Sequence, residues 1–282
     1  MIAAAFDYAV AESVDDAIRL LGEGGEDAKV LAGGHSLLPL MKLRFTAPSL
    51  LVDIGRIEEL RGVDTGDDSF RIGALTRHAD LQSRDDMGLI AAAAKQIADQ
   101  QVRNRGTIGG SLANGDAAAD LPAVLLAYGG SVIVRGPGGE REIAAEDLFE
   151  GYLTTSIAPG EVLTQVRIPA LTGYGFGYEK FNRRAEDWAM VGACALVKKA
   201  ADGTCEDVRV GLTHMASTPL RATATEEALR GQPLDNDHIV SAAFLAADGT
   251  DPTGDLNATP DYKRHLARIL TARAIANAAG VA

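Results

Sequence analysis

The chain has 282 residues, 46% of them hydrophobic and 23% charged, which suits a globular protein of two or three domains at roughly 100–200 residues each. Its 27 basic and 39 acidic residues give a formal net charge of −12, which excludes a broad nucleic-acid footprint, since that needs clustered Lys and Arg. No apolar run approaches the ~18 residues of a membrane span, and the stretch from Met1 to Val10 lacks the basic start and apolar length of a secretory signal, so the chain reads as cytoplasmic.

In chain order, Ser13 reads as an N-cap ahead of Asp15 and Asp16. Val14, Ala17, Ile18 and Leu21 then recur at helical spacing until Gly22 and Gly24-Gly25 end the helix. A strand at 29–32 runs into Gly33-Gly34, a short helix with Pro39 near its start continues through Leu43, and a second strand follows at Leu50–Asp53. A strand is expected at 70–72, and Thr76 is expected to cap a helical turn through Leu81. Leu89, Ile90, Ala93, Ala94, Ile97 and Ala98 form a helical stripe. After a polar, glycine-rich run over 101–116, a helix is expected at 121–127 with Pro122 in its first turn. Strands at 131–135 and 141–143 flank a Pro-Gly-Gly turn, and Val162, Val166 and Ile168 mark a half-buried strand.

A boundary falls at Leu171-Thr172-Gly173. Beyond it three strands are expected, at Tyr174–Phe181, 189–198 and 207–213, and then three helices at Thr223–Leu229, 237–247 and Pro260–Ala279. The last helix places Tyr262, Leu266, Ile269 and Leu270 on one face, with Lys263, Arg264 and Arg268 largely on others. Strands followed by helices predict an α+β unit. Cys194 and Cys205 flank a hairpin and read as small buried hydrophobes. With no CxxC, the chain cannot hold an iron–sulfur cluster by the usual four thiolates. The five histidines show neither HxxxH nor HExxH spacing, so no metal site is expected.

Two stretches carry chemistry. In Lys29-Val30-Leu31-Ala32-Gly33-Gly34-His35-Ser36-Leu37, strand, glycine turn and helix start follow in the order that aims several backbone N–H groups at one point. A phosphate group is the expected ligand, and a plain tight turn is the alternative. Thr107-Ile108-Gly109-Gly110-Ser111 offers hydroxyls and free backbone donors, with Asn114 and Asp116 adding polar side chains; by itself it is equally compatible with a solvated loop. Neither stretch is GxGxxG, and no GxxxxGK[ST] occurs. Together they predict a ligand with two phosphates clamped between two small α/β lobes.

The combination of Ala32-Gly33-Gly34-His35-Ser36-Leu37-Leu38-Pro39-Leu40-Met41-Lys42-Leu43-Arg44 with Thr107-Ile108-Gly109-Gly110-Ser111-Leu112-Ala113-Asn114 resembles the FAD-binding medium subunit of molybdenum hydroxylases. The match is nearest to the aerobic carbon monoxide dehydrogenase type, and the flavin domain of xanthine dehydrogenase is similar at greater distance. It extends through Glu179-Lys180, Glu186-Asp187-Trp188-Ala189 and Tyr262-Lys263-Arg264-His265-Leu266-Ala267.

The resemblance implies an α+β fold: a two-lobed FAD-binding domain of the vanillyl-alcohol-oxidase (PCMH) type over 1–172, with lobes 1–55 and 56–172. A C-terminal α+β domain over 173–282 follows, a three-stranded antiparallel sheet plus helices. It implies that Lys29 through Leu37 wrap the pyrophosphate and adenosine side of a non-covalent FAD, with His35 beside the cofactor and not bonded to it. Within Thr107, Ile108, Gly109, Gly110 and Ser111, the residues Thr107, Gly110 and Ser111, with Asn114, would contact phosphates and ribityl chain. Asp120 would reach the adenosine ribose, Ala98 and Val102 the adenine. Lys180 would approach the flavin, and Trp188 would stand against the isoalloxazine ring.

Read without the resemblance, Asp120 is a helix N-cap, Lys180 a surface cation paired with Glu179 or Glu186, and Trp188 core filler. The resemblance also implies partners: a large molybdenum-cofactor subunit and a small subunit with two [2Fe-2S] clusters, as a dimer of heterotrimers, with an external acceptor that can be peripheral to a membrane. No catalytic acid or base is then needed in this chain. The rivals are a medium subunit of another molybdenum hydroxylase acting on a purine, N-heterocycle, aldehyde or aromatic acyl-CoA, a self-contained flavin dehydrogenase, and a flavin-free interaction module.

Overall fold

A computed structural model describes residues 2–66 and 68–281 of the chain. The strands Asp7–Val10, Leu50–Asp53 and Ala28–Leu31 form a parallel sheet in that spatial order. Parallel neighbours need crossovers, and the helices Val14–Gly24 and Leu37–Leu43 supply them. Ser13 caps the first by accepting the Asp16 N–H, and the helix runs through Gly22 and Gly24 to Gly25, whose φ is 70°. Only the last of the three glycines therefore stops it. The insertion of Leu50–Asp53 between the other two strands leaves Ala28–Leu31 at an edge.

The second sheet is antiparallel, in the order Val63–Thr65, Ser69–Gly73, Val162–Pro169, Ser131–Gly136, Gly139–Ala144. Its core is filled by Ile72, Val132, Val134, Val166 and Ile168 together with Ile90, Ala94, Leu121 and Leu125 from the helices Leu89–Lys95 and Asp120–Tyr128. The third sheet runs Tyr174–Phe181, Val191–Lys199, Cys205–Thr213, Leu220–Arg221, all antiparallel. The helix Pro260–Ala279 lies on it. Its approach is close because Gly177 has no side chain: a Cβ there would run into the Ala274 carbonyl.

Several expectations change. The structure adds the short strands Asp7–Val10 and Val63–Thr65, and Leu220–Arg221 makes the third sheet four-stranded. The stripe from Leu89 breaks at Lys95, and Ala98 is left-handed with φ 41°. Thr76 caps nothing; its hydroxyl donates to the Gly62 carbonyl, and Arg77 precedes the helix His78–Leu81. The run 101–116 is largely helical, with helices at Gln100–Arg103 and Ile108–Asn114. On the last helix Lys263 joins Leu266 and Leu270 on the buried face, while Tyr262 and Ile269 are exposed. Tertiary contacts, not hydropathy, choose that face. Cys194 and Cys205 are free and buried, and burial pushes their thiols up to about 12 and about 11.

Candidate functional site: a cleft between two lobes and the C-terminal sheet

A cleft of about 480 Å³ lies where the three units meet. Its first wall is the edge strand Ala28–Leu31 and the turn that follows it. Gly34 has φ 77°, a conformation that favours glycine, and the chain then enters the helix Leu37–Leu43. The backbone N–H groups of Gly33, Gly34, His35 and Ser36 donate to no acceptor among the described residues. Gly33, Gly34 and Ser36 are half-buried and His35 is exposed; half-buried N–H groups rarely stay unpaired, so this run beside a cleft marks a place for an anionic group. Nδ1 of His35 lies 3.0 Å from the Gly33 carbonyl; a carbonyl only accepts, so Nδ1 carries the proton.

The second wall works differently from the sequence expectation. Thr107 caps the helix Ile108–Asn114, its Oγ1 accepting the Gly110 N–H at 3.1 Å. The N–H groups of Ile108, Gly109 and Ser111 go to the carbonyls of Thr76, Ala74 and Thr107. The free backbone donors expected here are therefore satisfied within the fold, and the wall presents the side chains of Thr107, Ser111 and Asn114 instead.

The glycines join the walls. A Cβ on Gly33 would meet the Arg105 carbonyl oxygen and lie 2.9 Å from Gly106 Cα; one on Gly110 would lie 3.9 Å from Ala32 Cβ. Gly109 faces the protein, where a Cβ would stand 2.6 Å from that of Ala74.

The C-terminal sheet contributes the third wall. Tyr178 and Lys180, two apart on the strand Tyr174–Phe181, take one oxygen each of the Asp120 carboxylate: the Tyr178 hydroxyl donates to Oδ1, and Lys180 Nζ to Oδ2 at 3.1 Å. Lys180 also donates to the Gln96 carbonyl. Burial raises the Asp120 carboxyl above its ordinary value, against the pull of Lys180 and Tyr178. Burial and the adjacent Asp120 raise the Tyr178 phenol well above its usual range. Lys180 is thus no surface cation, and Glu179 and Glu186 are not its partners. Nor is Asp120 the N-cap, which is Ala119.

The cleft gathers most of the residues expected to hold the ligand. Lys29, Val30, Ala32, Gly33, Gly34, His35, Ser36 and Leu37 line it, as do Ala98, Val102, Thr107, Gly110, Ser111, Asn114, Asp120, Lys180 and Trp188. Leu31, Ile108 and Gly109 do not. Leu31 pairs with Asp53 in the sheet, Ile108 is core, and Gly109 is closed off by Ala74. Trp188 is 54% exposed, which rules out core filling.

The sequence reading missed His78, Gly106 and Ala119 on the lining, along with Glu186 and Asp187 beside Trp188. His78 is buried, its Nδ1 has no partner among the described residues, and its pKa falls to about 4, mainly through burial, with His35 and Arg103 adding to it. A lone histidine outside any motif gives no signal in sequence; only its packing under Gly106, whose Cβ would meet the ring at 2.7 Å, places it.

Two lobes clamping a cleft that has unpaired backbone donors on one side and a buried cation at its base suit a ligand that carries anionic groups. The family model described as FAD binding domain in molybdopterin dehydrogenase matches residues 4–171, and that of the CO dehydrogenase flavoprotein C-terminal domain matches 176–278. The carbon monoxide dehydrogenase medium chain of Hydrogenophaga pseudoflava is 42% identical over 282 residues, covering 98% of this chain and 97% of the relative. The 6-hydroxypseudooxynicotine dehydrogenase complex subunit alpha of Paenarthrobacter nicotinovorans is 41% identical over 278 residues, covering 97% and 94%.

Among solved structures, carbon monoxide dehydrogenase from Hydrogenophaga pseudoflava, in a form lacking the Mo-pyranopterin moiety of the molybdenum cofactor, superposes with a TM-score of 0.96 at 43% identity, over 100% of this chain and 99% of that one. The chain belongs to the family of FAD-binding medium subunits of molybdenum hydroxylases, and it is a flavoprotein oxidoreductase subunit. No helix among the described residues is long and apolar enough to cross a membrane.

Proposed function

We propose that the chain is the FAD-carrying electron-transfer subunit of a molybdenum hydroxylase, passing electrons from partner iron–sulfur clusters to an external acceptor. The observation that carries this is the row of unpaired N–H groups at Gly33–Ser36, set across a cleft from Thr107, Ser111 and Asn114. Those N–H groups would take the diphosphate, each charge-assisted hydrogen bond contributing about 1.5–3 kcal/mol. FAD, when bound, supplies the conversion between two-electron and one-electron chemistry. The chain supplies position and charge: Lys180 is fixed by Asp120 and Gln96, and the exposed Trp188 offers an aromatic face. Asp120 and Lys180, being in contact, would meet one part of the ligand and not its two ends. His35 would stand beside the cofactor without bonding to it, and flavin released by acid precipitation is the check.

The division into a cofactor domain at 1–172, with lobes 1–55 and 56–172, and a C-terminal domain at 173–282 is supported by the three larger sheets falling on separate sides of those limits. The molybdenum cofactor and two [2Fe-2S] clusters would reside on a large and a small partner, arranged with this chain as a dimer of heterotrimers. The naming of the relatives as medium chain or complex subunit supports such an assembly. FAD extraction from the purified chain, alone and with its partners, tests the cofactor; absence of flavin in both preparations would sink the proposal.

For the substrate of the complex, carbon monoxide is favoured by the 42% relative and the 0.96 structural match. The 41% identity to a 6-hydroxypseudooxynicotine dehydrogenase subunit favours an N-heterocyclic or related organic substrate nearly as well. Dye reduction by the assembled complex with each compound separates the two.

A further inference from the structure

Segments bordering the cofactor cleft converge on His214. This residue follows the strand Cys205–Thr213 in a left-handed conformation, φ 62°, which a residue with a Cβ keeps only where its surroundings hold it. Its backbone N–H donates to the Ala117 carbonyl at 2.7 Å, two residues before Ala119 on the cleft wall. Its ring Nδ1 lies 2.8 Å from the Ala189 carbonyl, next to Trp188. Because a carbonyl only accepts, Nδ1 carries the proton and Nε2 is left as an acceptor. Lys263 Nζ, 3.3 Å away, donates to it.

Lys263 is fully buried on the helix Pro260–Ala279. Its ammonium also donates to the Thr253 carbonyl at 2.8 Å and to Asp255 Oδ2 at 2.7 Å, so all three N–H donors are used. A buried ion pair adds little stability over apolar residues of similar volume; what this one supplies is a fixed geometry around His214.

That geometry reaches the cleft through residues 182–190. Their hydrogen bonds are internal (Asn182 to the Arg184 carbonyl, Asp187 N–H to the same carbonyl) or continue the neighbouring strand (Met190 N–H to the Phe181 carbonyl). Among the described residues, and apart from that Met190 bond to the adjoining strand, the bond from His214 to Ala189 is the segment's single hydrogen bond outside itself. The segment carries Glu186, Asp187 and Trp188 on the cleft.

We propose that His214, held by Lys263, is a positioning residue for the cofactor cleft: it fixes the 182–190 segment and thereby the stance of the Trp188 indole toward FAD. The proposal rests on the FAD reading above. Trp188 is the only tryptophan in the chain, so its emission reports on the segment directly, with or without flavin.

The test compares the purified full chain with Lys263→Met, His214→Ala and His214→Asn. Asn tolerates the left-handed backbone and its amide can still donate to Ala189. Expected for Lys263→Met and His214→Ala are readier acrylamide quenching of Trp188 without FAD and an FAD Kd raised about tenfold, with His214→Asn near the parent in both. Unchanged quenching and unchanged Kd in Lys263→Met and His214→Ala, with only the melting temperature lowered, overturns the proposal and leaves a structural brace. If a variant does not fold, Lys263→Gln is read by the same two measurements. A parent chain that takes up no FAD overturns the flavin reading, while the quenching comparison still decides whether His214 positions Trp188.

Discussion

Lys180 and Asp120, sixty residues apart in sequence, meet at 3.1 Å with side chains only 2% and 3% exposed. One comes from the C-terminal sheet and the other from the helix Asp120–Tyr128 of the second lobe, so the pair ties the two units together at the base of the cleft. Lys180→Met leaves the carboxylate buried without its cation. The expected loss is about 3–5 kcal/mol in urea denaturation, with weaker FAD uptake. Adding Asp120→Asn to that variant should recover part of the loss; strict additivity of the two substitutions would show that the pair is not coupled.

Gly33 is required by the chain crossing it. Gly33→Val would drive a side chain into the Arg105 carbonyl and Gly106, and overpacking of this kind costs about 1–3 kcal/mol. The two motifs would be pushed apart, so FAD affinity should fall with stability. Gly22→Ala is the contrasting case. It lies within the helix Val14–Gly24 with nothing near its Cβ position, and should stabilise the chain by about 0.5–1 kcal/mol. Thermal denaturation of both variants checks the pair.

Thr107→Val removes the oxygen that accepts the Gly110 N–H while keeping the shape. A lost N-cap costs about 1 kcal/mol. It should also loosen the helix Ile108–Asn114 that bears Ser111 and Asn114. Isothermal titration with FAD should show a weaker Kd for Thr107→Val, and Thr107→Ser should restore it.

His78 gives stability a pH dependence of known sign. Its folded pKa is about 4 against an ordinary value of 6.5, so the unfolded chain takes the proton first as pH falls. The contribution of the neutral ring is fully present above about pH 6.5 and is lost as pH drops toward 4. For a shift of this size it amounts to about 3 kcal/mol. Unfolding free energies measured between pH 7 and 4 should decline, and His78→Gln should flatten that part of the curve.

What was legible from residues alone was local. The capping of Val14–Gly24 by Ser13, the strand Leu50–Asp53 and the helices Thr223–Leu229 and Pro260–Ala279 follow from spacing and end signals. Such signals lie within a few residues of the elements they govern. The strands Val63–Thr65 and Leu220–Arg221 carry too few residues for a pattern, and they exist because a longer neighbour offers them an edge; Asp7–Val10 pairs with a strand of its own length, Leu50–Asp53.

The two glycine motifs, their pairing and the resemblance they carry were determined by the sequence, because a backbone that must turn sharply or admit a close neighbour restricts the residue at that point. Which glycine does which was decided by the tertiary structure: Gly34 turns the chain, Gly33 admits Arg105, and Gly109 admits Ala74. The same holds for the charged groups. Lys180, Asp120, His214 and Lys263 look like ordinary surface or capping residues in sequence. Lys180, Asp120 and Lys263 become buried partners, and His214 a half-buried one, only when segments distant in the chain are brought together, since burying a charge is tolerable only where folding has already assembled the groups that satisfy it.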